Sequence, residues 1–461
     1  MLCDMPVHVY SACLQGLTGM TVQVEVDTGR GLPVFHIVGL GDNSVQESKE
    51  RVRAAIKNCG AVFPLNRKIV NLAPAHAKKH GSAFDLAIAV GLLAASGQIP
   101  QASFQNTLFF GELSLDGSVK SVRGILPLMI YARKHDFHDI FIPAENIAEA
   151  RLIQGLRFFP VHSLKDVIAH FRKNSVIQPL AHDFSVAALE KDLSPDHSET
   201  LSFLVKGQAL AKRALQIAAA GNHHVLLCGP PGIGKTLLSR CLPYLLPPLT
   251  EQEIFEVTAL YSIRGLTDSK NPLLTHRPFR EIHQTVSRVA LFGGGHDLMP
   301  GELSLAHRGV ILFDEVPEFP RAILDMLRQP LEEKKITVSR AKGSISYPAN
   351  FLFVGTMNPC PCAKTPCECS ENSLGVYKRG LSGPLLDRID LVVHLGNLEQ
   401  SELLNDAHDD GADWNKLKKS VFDARKIQTL RYQKNAVNIY QKNVFTNGEV
   451  SAEAIHLLKT F

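Results

Sequence analysis

The alternation of hydrophobic and polar positions predicts strands and helices in turn along the N-terminal part of the chain. Residues 20–27 alternate between polar and apolar side chains, which is typical of a half-exposed strand, and residues 43–58 follow a helical period. The same criteria predict further strands at 68–72, 107–113 and 139–143, and further helices at 84–95 and 125–134. Strands and helices that alternate in this way predict an α/β domain with its own core.

A second α/β pattern follows, with strands that are apolar throughout at 225–228, 309–313 and 350–356. Such strands are typical of a buried parallel sheet, in which ligands bind at the carboxyl ends of the strands. Helical segments are then predicted at 401–407, 414–432 and 451–458. We therefore predict an α/β multidomain protein with an N-terminal domain at 1–172, a linker at 173–199, a second α/β domain at 200–397 and a helical C-terminal lid at 398–461.

Composition limits the classes of function that remain. The chain has 461 residues, 45% of them hydrophobic and 20% charged, which is enough for two or three domains. Its 49 basic and 45 acidic residues give a net charge of +4, so any contact with nucleic acid must come from local basic residues. The longest apolar run, 87–96, is too short to span a bilayer, and no basic segment typical of a signal peptide precedes the first apolar residues. We expect a cytoplasmic protein without a membrane partner.

The strand at 225–228 leads into a complete phosphate-binding loop, Gly229-Pro230-Pro231-Gly232-Ile233-Gly234-Lys235-Thr236. Its glycines allow backbone N–H groups to turn toward an anion, Lys235 is placed to reach the β- and γ-phosphates, and the Thr236 hydroxyl is placed to ligate Mg²⁺. ATP and Mg²⁺ are therefore the predicted cofactors. The alternative interpretation is a plain Gly-Pro turn between a strand and a helix.

Polar side chains follow the other two apolar strands. Asp314 is predicted to hold Mg²⁺ through water and Glu315 to orient or deprotonate the attacking water, although acids at strand ends are also common as solvated groups. Asn358 is predicted to help position that water; alternatively it caps a turn. Arg388 is our candidate for an arginine finger supplied by a neighbouring subunit, and the alternative is a salt bridge to Asp387 or Asp390.

Four of the nine cysteines lie close together, at Cys360, Cys362, Cys367 and Cys369. Cysteines in a cytosolic chain indicate thiols or a metal site rather than disulfides. Four thiolates can close a tetrahedral Zn²⁺ site, which would be structural because it leaves no open coordination position. The spacing departs from the common C-x₂-C pattern, so reduced cysteines in a surface loop are the alternative.

Three stretches of the N-terminal domain, 80–85, 111–117 and 141–146, resemble the proteolytic domain of Lon-type proteases. The resemblance implies that fold, which is ribosomal S5 domain 2-like. A Ser/Lys dyad needs a nucleophilic serine and a lysine that acts as base. Ser82 stands one residue early for the serine, and no lysine is present where the chain reads Gly124-Ile125-Leu126-Pro127-Leu128. We predict a domain that binds or assembles rather than one that cleaves proteins.

The second domain resembles the magnesium-chelatase-like AAA+ ATPases, and with the Lon-like domain in front the chain is identified as a member of the ComM/YifB group. The motifs that carry the resemblance are 277–280, 293–295, 300–309, 357–362 and 381–390, beside the nucleotide motifs. The resemblance implies a homo-oligomeric ring, with a hexamer expected, that hydrolyses ATP at subunit interfaces. In ComM-type members it implies a DNA motor for branch migration during integration of transformed DNA, with recombination proteins as further partners.

The resemblance also implies roles for four further residues. Val205 and Gln208 would flank the adenine; alternatively they are helix N-terminal residues with no ligand. The alternation on both sides of Arg340-Ala341-Lys342-Gly343 predicts a β-hairpin with a basic tip. In related ring motors such hairpins point into the central pore, where Arg340 and Lys342 would contact DNA phosphates without reading sequence; alternatively the tip is merely solvated.

The chain departs from the family pattern in two places. His283 is followed by Gln284 where many members have paired histidines, and no counterpart of the lid arginine that senses nucleotide is found, since Arg425 and Arg431 lie too early. We therefore expect a shortened member or weakened hydrolysis. Besides the DNA motor, two functions remain open: a chelatase-type motor that remodels a protein partner, and a nucleotide-binding scaffold with little hydrolysis.

Overall fold

The computed structural model describes residues 6–29, 31–75, 79, 81–100, 104, 106–180, 205, 207–268, 272–295, 298–340, 343–364, 367–381, 383–396 and 410–432. The strands are β1 Val7–Gln15, β2 Thr18–Gly29, β3 Phe35–Val38, β4 Arg67–Ala73, β5 Thr107–Phe109, β6 Glu112–Leu113, β7 Val119–Lys120, β8 Asp139–Pro143, β9 Arg157–Val161, β10 Val225–Cys228, β11 Phe279–Ile282, β12 Gly293–Gly294, β13 Met299–Pro300, β14 Val310–Phe313, β15 Lys335–Arg340, β16 Gly343–Pro348, β17 Leu352–Met357 and β18 Leu391–His394. The helices are α1 Asn43–Asn58, α2 Asp85–Ala95, α3 Ile125–Lys134, α4 Ile147–Ala150, α5 Leu164–Phe171, α6 Ala209–Gly221, α7 Lys235–Leu245, α8 Glu251–Arg264, α9 Arg288–Phe292, α10 Glu302–Leu305, α11 Arg321–Met326, α12 Arg328–Glu333, α13 Glu371–Arg379, α14 Gly383–Leu386 and α15 Asp410–Tyr432.

The N-terminal domain is built on a seven-stranded mixed sheet in the order β3-β4-β2-β1-β5-β8-β9. Alternate residues of β1 serve two apolar cores: Val7 and Val9 belong to the core with α1 and α2, whereas Ala12 belongs to the core with α3. This division follows from the period of two along a strand. Helix α2 is buried over its first ten residues, which explains why its sequence is apolar on every side.

The strand predicted at 107–113 is interrupted, and this part of the prediction is wrong. β5 ends at Phe109, and Glu112 and Leu113 form a separate strand that pairs with β7. Between them Gly111 adopts φ +158°, and its carbonyl accepts a hydrogen bond from the Leu86 N–H at 3.1 Å. The backbone of Gly111 therefore bonds to α2 and does not continue the ladder.

The second domain, called the motor domain below after the ring motors that it resembles, is built on a five-stranded sheet in the order β11-β14-β17-β10-β18, parallel throughout. The apolar strands predicted from the sequence are β10, β14 and β17, and all three are buried. β17 lies between the other two, so the carboxyl ends of the three strands meet at one edge. The predicted α/β multidomain fold class is confirmed.

The predicted C-terminal helix at 414–432 is confirmed as part of α15, which packs on α6 and buries Trp414 completely. The helices predicted at 401–407 and 451–458 lie outside the described residues. Of the predicted linker, residues 173–180 are described, and the Leu180 N–H donates to the Phe158 carbonyl of β9 at 2.8 Å. No helix among the described residues is long and apolar enough to cross a membrane.

Candidate nucleotide site and metal cluster

The phosphate-binding loop joins β10 to α7, as the sequence predicts. Gly232 and Gly234 have φ of +80° and +89°, a region that residues with a Cβ rarely adopt, so glycine is required for this turn. At Gly229 the reason is space, since a Cβ there would lie 2.9 Å from the Leu395 carbonyl oxygen. Pro230, Pro231 and Ile233 complete the turn, and Ile233 packs against the motor core. The loop therefore has the backbone that an anion-binding turn needs.

The Lys235 side chain is buried beneath this loop. Its Nζ donates to the carbonyls of Gly229 and Pro230, both at 2.7 Å, and to Asn358 Oδ1 at 3.0 Å. Burial lowers the pKa of the ammonium group. Lys235 thus ties the loop to the end of β17 and presents a positive charge where phosphate groups would bind.

The Thr236 hydroxyl and the Asp314 carboxylate face each other across the sheet edge. Thr236 Oγ1 lies 3.2 Å from both carboxylate oxygens of Asp314. A hydroxyl and a carboxylate are the oxygen ligands that Mg²⁺ uses beside nucleotide phosphates. The two residues predicted to hold Mg²⁺ are therefore adjacent and chemically suited to it.

A third residue at this place, Thr356 of β17, was missed in the sequence analysis. Its buried hydroxyl donates to Asp314 Oδ1 and accepts the Glu315 N–H at 2.9 Å. Thr356 therefore positions both acids. The sequence feature that could have indicated this role is a single hydroxyl residue near the end of a strand that is otherwise apolar.

The Glu315 carboxylate is held by two amides from different strands. Asn358 Nδ2 lies 3.4 Å from one of its oxygens, and Gln284 Nε2 lies 3.3 Å from the other. Glu315 itself has φ +58°, an unfavourable backbone for a residue that is not glycine and one that recurs at functional sites. Gln284, whose role was left in doubt by the sequence, is thus a second neighbour of this acid.

Arg388 lies at a different place from this cluster. Its guanidinium forms an ion pair with Glu332 of α12, with Nε 2.7 Å from Oε1. Glu332 also accepts from Arg328 at 3.1 Å. The alternative interpretation, a salt bridge from Arg388 to Asp387 or Asp390, is therefore wrong about the partner, which is Glu332. Asp390 instead accepts a hydrogen bond from the His224 N–H at 2.7 Å.

Val205 and Gln208 lie at the start of α6. Val205 is buried in the motor core, and Gln208 precedes the helix with φ +52°, with its Nε2 3.5 Å from the Gly396 carbonyl. These contacts are the ones expected of residues at the N-terminal end of a helix, which was the alternative interpretation. Contact of Val205 and Gln208 with adenine stays a prediction.

The hairpin predicted around residues 340–343 is confirmed as β15 and β16, paired from Lys335 opposite Pro348 to Arg340 opposite Gly343. The backbone of Arg340 ends β15, next to the turn. Its side chain and all of Lys342 lie outside the described residues, so their contact with DNA stays a prediction.

The four clustered cysteines converge after Asn358. The sulfur atoms of Cys360, Cys362, Cys367 and Cys369 all lie within 4.8 Å of one another, with the 360–362 pair at 3.4 Å and the 362–367 pair at 3.9 Å. Four sulfurs bound tetrahedrally at about 2.3 Å would be about 3.8 Å apart. Backbone hydrogen bonds from Lys364 and Glu368 lower the pKa of the Cys362 thiol to about 6. This cluster can hold a metal ion.

Ser82, which stands one residue early for the nucleophile of a Ser/Lys dyad, forms a hydrogen bond with an acid. Ser82 Oγ donates to Glu112, and α3 begins directly after Gly124, where a base would be required. Ile125 and Leu126 at that helix start are buried apolar residues. Among the described contacts of Ser82 there is none with a lysine.

Comparisons with known proteins agree with this geometry. Residues 202–403 match the family described as "Magnesium chelatase, subunit ChlI", and residues 24–146 match "Subunit ChlI of Mg-chelatase". "Competence protein ComM" of Haemophilus influenzae is 39% identical over 439 residues, covering 94% of this chain and 84% of that protein. "Uncharacterized protein YifB" of Escherichia coli is 37% identical over 430 residues, covering 92% and 83%. "Lon protease 2" of Bacillus subtilis is 29% identical over 205 residues, covering 38% and 36%.

These similarities extend over nearly the whole chain and include both sheets. The family matches cover the phosphate-binding loop, the acids after β14 and the cysteine cluster in one segment. The chain belongs to the ComM/YifB group of magnesium-chelatase-like AAA+ proteins.

Proposed function

We propose that the chain is a ring-forming ATPase, assembled as a hexamer, that acts on branched or single-stranded DNA during natural transformation or recombination. The observation that carries the proposal is the meeting of five side chains at one sheet edge, with Lys235, Thr236 and Asp314 on one side and Glu315 and Asn358 on the other. The similarity to a competence protein supports DNA as the substrate. A cytoplasmic location and recombination proteins as partners belong to the same proposal.

The residues divide the chemistry between them. Bound Mg²⁺–ATP would supply the phosphoanhydride bond to be cleaved and the metal charge that offsets the negative phosphate oxygens. Lys235 and the glycine-rich backbone would bind the phosphates, and Thr236 and Asp314 would hold the metal. Glu315, kept in place by the amides of Asn358 and Gln284, orients a water and accepts its proton.

The nucleotide part of the proposal is tested by Glu315→Gln. This variant keeps the size and shape of the side chain but removes the base, so we expect ATP hydrolysis to fall ~10²–10⁴-fold while ATP still binds. Lys235→Ala should lose binding as well. Equal phosphate release by wild type and Lys235→Ala would instead favour a nucleotide-binding scaffold.

The DNA part is tested by ATPase and branch-migration assays on forked and four-way junctions. Arg340→Ala with Lys342→Ala should weaken DNA binding and abolish stimulation by DNA, because the proposed phosphate contacts are lost. Lys335→Ala is the matched control, since it removes a positive charge from the base of the same hairpin. ATP hydrolysis that is indifferent to DNA in the wild type would refute a DNA motor and favour a protein substrate.

Arg388 is proposed to act on the nucleotide of the neighbouring subunit. Mixing Arg388→Ala subunits with Glu315→Gln subunits should restore part of the activity, because some interfaces then combine an intact Arg388 with an intact Glu315. Arg328→Ala is the control, since it disturbs the same Glu332 carboxylate without removing the finger. A mixture as inactive as its components would contradict action between subunits.

A structural Zn²⁺ in the cysteine cluster is the last part of the proposal. The metal would join the segment after Asn358 to the start of α13, whose Tyr377 hydroxyl donates to the Asn358 carbonyl at 3.2 Å. Metal analysis of the purified protein should find one zinc per chain, and Cys367→Ser should lose it. Cys59→Ser, outside the cluster, should keep the metal. Wild type without bound zinc would refute this assignment.

A further inference from the structure

The N-terminal domain and the basic hairpin share one apolar core. Leu14, near the end of β1, and Leu17, in the β1–β2 turn, pack in the same cluster as Ile345 and Tyr347 of β16. Helix α8 supplies most of the buried residues of this cluster, so the turn and the hairpin lie against the same helix. A shared core of this kind resists independent movement, because separating its parts exposes apolar surface to water.

The turn also approaches the hairpin closely at Gly16, the buried glycine of the β1–β2 turn. A Cβ on Gly16 would lie 2.7 Å from Ile345 Cγ2, which is well inside van der Waals contact. Ile345 is β-branched and sits on a strand, so its Cγ2 has little freedom to move aside. The turn of one domain therefore rests directly on a strand of the hairpin.

The same face of the hairpin, on which Val338 stands directly opposite Ile345, also meets β12 and the residue just before β13. The Tyr347 hydroxyl donates to the Leu298 carbonyl at 3.0 Å, and a Cβ on Gly294 would lie 3.4 Å from Val338 Cγ1. The base of the hairpin is thus supported by these residues of the motor domain and by the N-terminal turn.

The N-terminal domain is itself fixed to the motor domain at the end of α8. The Gly124 N–H donates to the Ser262 carbonyl at 3.0 Å, and the Ser262 hydroxyl donates to Glu149 at 2.6 Å. Glu149 is buried and also accepts from Thr267 at 3.4 Å. These polar contacts hold the N-terminal domain in one orientation against the helix that carries the shared core.

From these contacts we infer that the N-terminal domain is a support for the hairpin, and that Gly16 and Leu17 are positioning residues for its grip on DNA. The expected effect on DNA affinity rests on the proposed function. The expected effect on hydrogen exchange in the hairpin rests only on the contacts described above. It gives the Lon-like domain a role that needs no proteolytic chemistry.

The test compares Gly16→Ala with Gly60→Ala. Both glycines have a positive φ, +68° and +76°, so both substitutions strain the backbone, but a Cβ on Gly60 meets open space. Gly16→Ala should speed hydrogen exchange in residues 335–348 about tenfold and weaken binding to forked DNA, with basal ATP hydrolysis unchanged. Gly60→Ala should match wild type in all three measurements.

A second pair covers the case in which Gly16→Ala unfolds the N-terminal domain, which faster exchange in α2 would reveal. Leu17→Ala removes part of the contact without adding strain and should loosen the hairpin in the same direction. Leu65→Ala is its control, because that side chain is 79% exposed. Hairpin exchange and DNA affinity at wild-type values in both Gly16→Ala and Leu17→Ala would overturn the inference. If the variants show faster hydrogen exchange in the hairpin but the wild type does not bind DNA, the N-terminal domain supports the hairpin and the DNA motor is refuted.

Discussion

Two carboxylates, Asp85 in the N-terminal domain and Asp314 in the motor domain, stand near strand ends and beside helix starts, yet their surroundings differ. Asp85 is fully buried and accepts from Arg51 Nε at 2.7 Å, from the Ser48 hydroxyl and from the Leu113 N–H at 3.2 Å. Asp314 is half-buried, and its described partners are hydroxyl groups. A hydroxyl group can rotate and act as an acceptor, so its oxygen can turn toward a metal ion. Breaking the ion pair between Arg51 and the buried Asp85 would instead leave a charge without its partner, which lowers stability.

Similar chemical groups thus form a structural cluster in one domain and a candidate binding site in the other. The two carboxylates differ in whether the hydrogen bonds that they accept can be replaced by contacts with a bound ligand. In the N-terminal domain the serine hydroxyl of Ser82 is also committed to an acid, Glu112.

Replacing Asp314 should abolish function and leave folding nearly intact. Asp314→Asn removes the charge that holds Mg²⁺, so we expect ATP hydrolysis to fall ~10²–10⁴-fold. The free energy of unfolding should change by about 0.5 kcal/mol or less, since the amide still meets the two hydroxyls. Hydrolysis rates and urea unfolding check the two parts. A protein that is strongly destabilised would show that Asp314 is structural like Asp85.

Replacing Asp85 should have the opposite result. Asp85→Asn leaves the largely buried Arg51 without its countercharge, which costs about 3–5 kcal/mol of stability. Hydrolysis per folded molecule should stay near that of the wild type. Asp116→Asn is the control in the same domain, because that carboxylate is exposed, and its effect should stay within about 0.5 kcal/mol. A stable Asp85→Asn protein with lost hydrolysis would reverse the comparison.

Replacing Thr356 should lower both the rate of ATP hydrolysis and the stability, each by less than the replacements of Asp314 and Asp85. Thr356→Val keeps the shape of the side chain but removes the hydroxyl that joins Asp314 to the Glu315 N–H, so one buried donor is left without its acceptor at a cost of about 1–3 kcal/mol. Hydrolysis should fall about tenfold or more because both acids lose their orientation. Thr356→Ser, which keeps the hydroxyl, should restore most of the rate. Equal rates in Thr356→Val and wild type would exclude a positioning role.

Replacing Ser82 should have the smallest effect. Ser82→Ala removes one hydrogen bond to Glu112, which is worth about 1 kcal/mol, and no proteolytic activity should be lost because no lysine is among the described contacts of the hydroxyl. Urea unfolding and a casein-cleavage assay give the two readouts. Cleavage that is present in the wild type and absent in Ser82→Ala would restore a catalytic role to the N-terminal domain.

Much of the local structure was predictable from the sequence. The bounds of α1 and α3 are those predicted, and the phosphate-binding loop has the predicted strand before it and helix after it. The prediction failed at Gly111, where a strand pattern continued but the backbone turned toward α2. A hydrophobic period reports burial, and it does not report which neighbour a backbone group will bond to.

The neighbours of the candidate site were harder to predict. Asp314, Glu315 and Asn358 stand directly after apolar strands, and their position at one edge follows from the rule for parallel sheets. Thr356 and Gln284 act through residues on other strands, and Arg388 meets Glu332 at a separation of 56 positions. Such contacts depend on the order of strands in the sheet, which the chain order of the motifs does not reveal.

The sequence by itself determined the family, the α/β class, the nucleotide loop and the set of cysteines, because each depends on residue types at short spacing or on a local backbone preference. Tertiary structure decided that β17 lies between β10 and β14, that Thr356 links the two acids and that the N-terminal turn rests on the hairpin. The physical reason is that conformational preference and amphipathic period act within a few residues. Contacts between strands and between domains are selected by how whole apolar surfaces fit together.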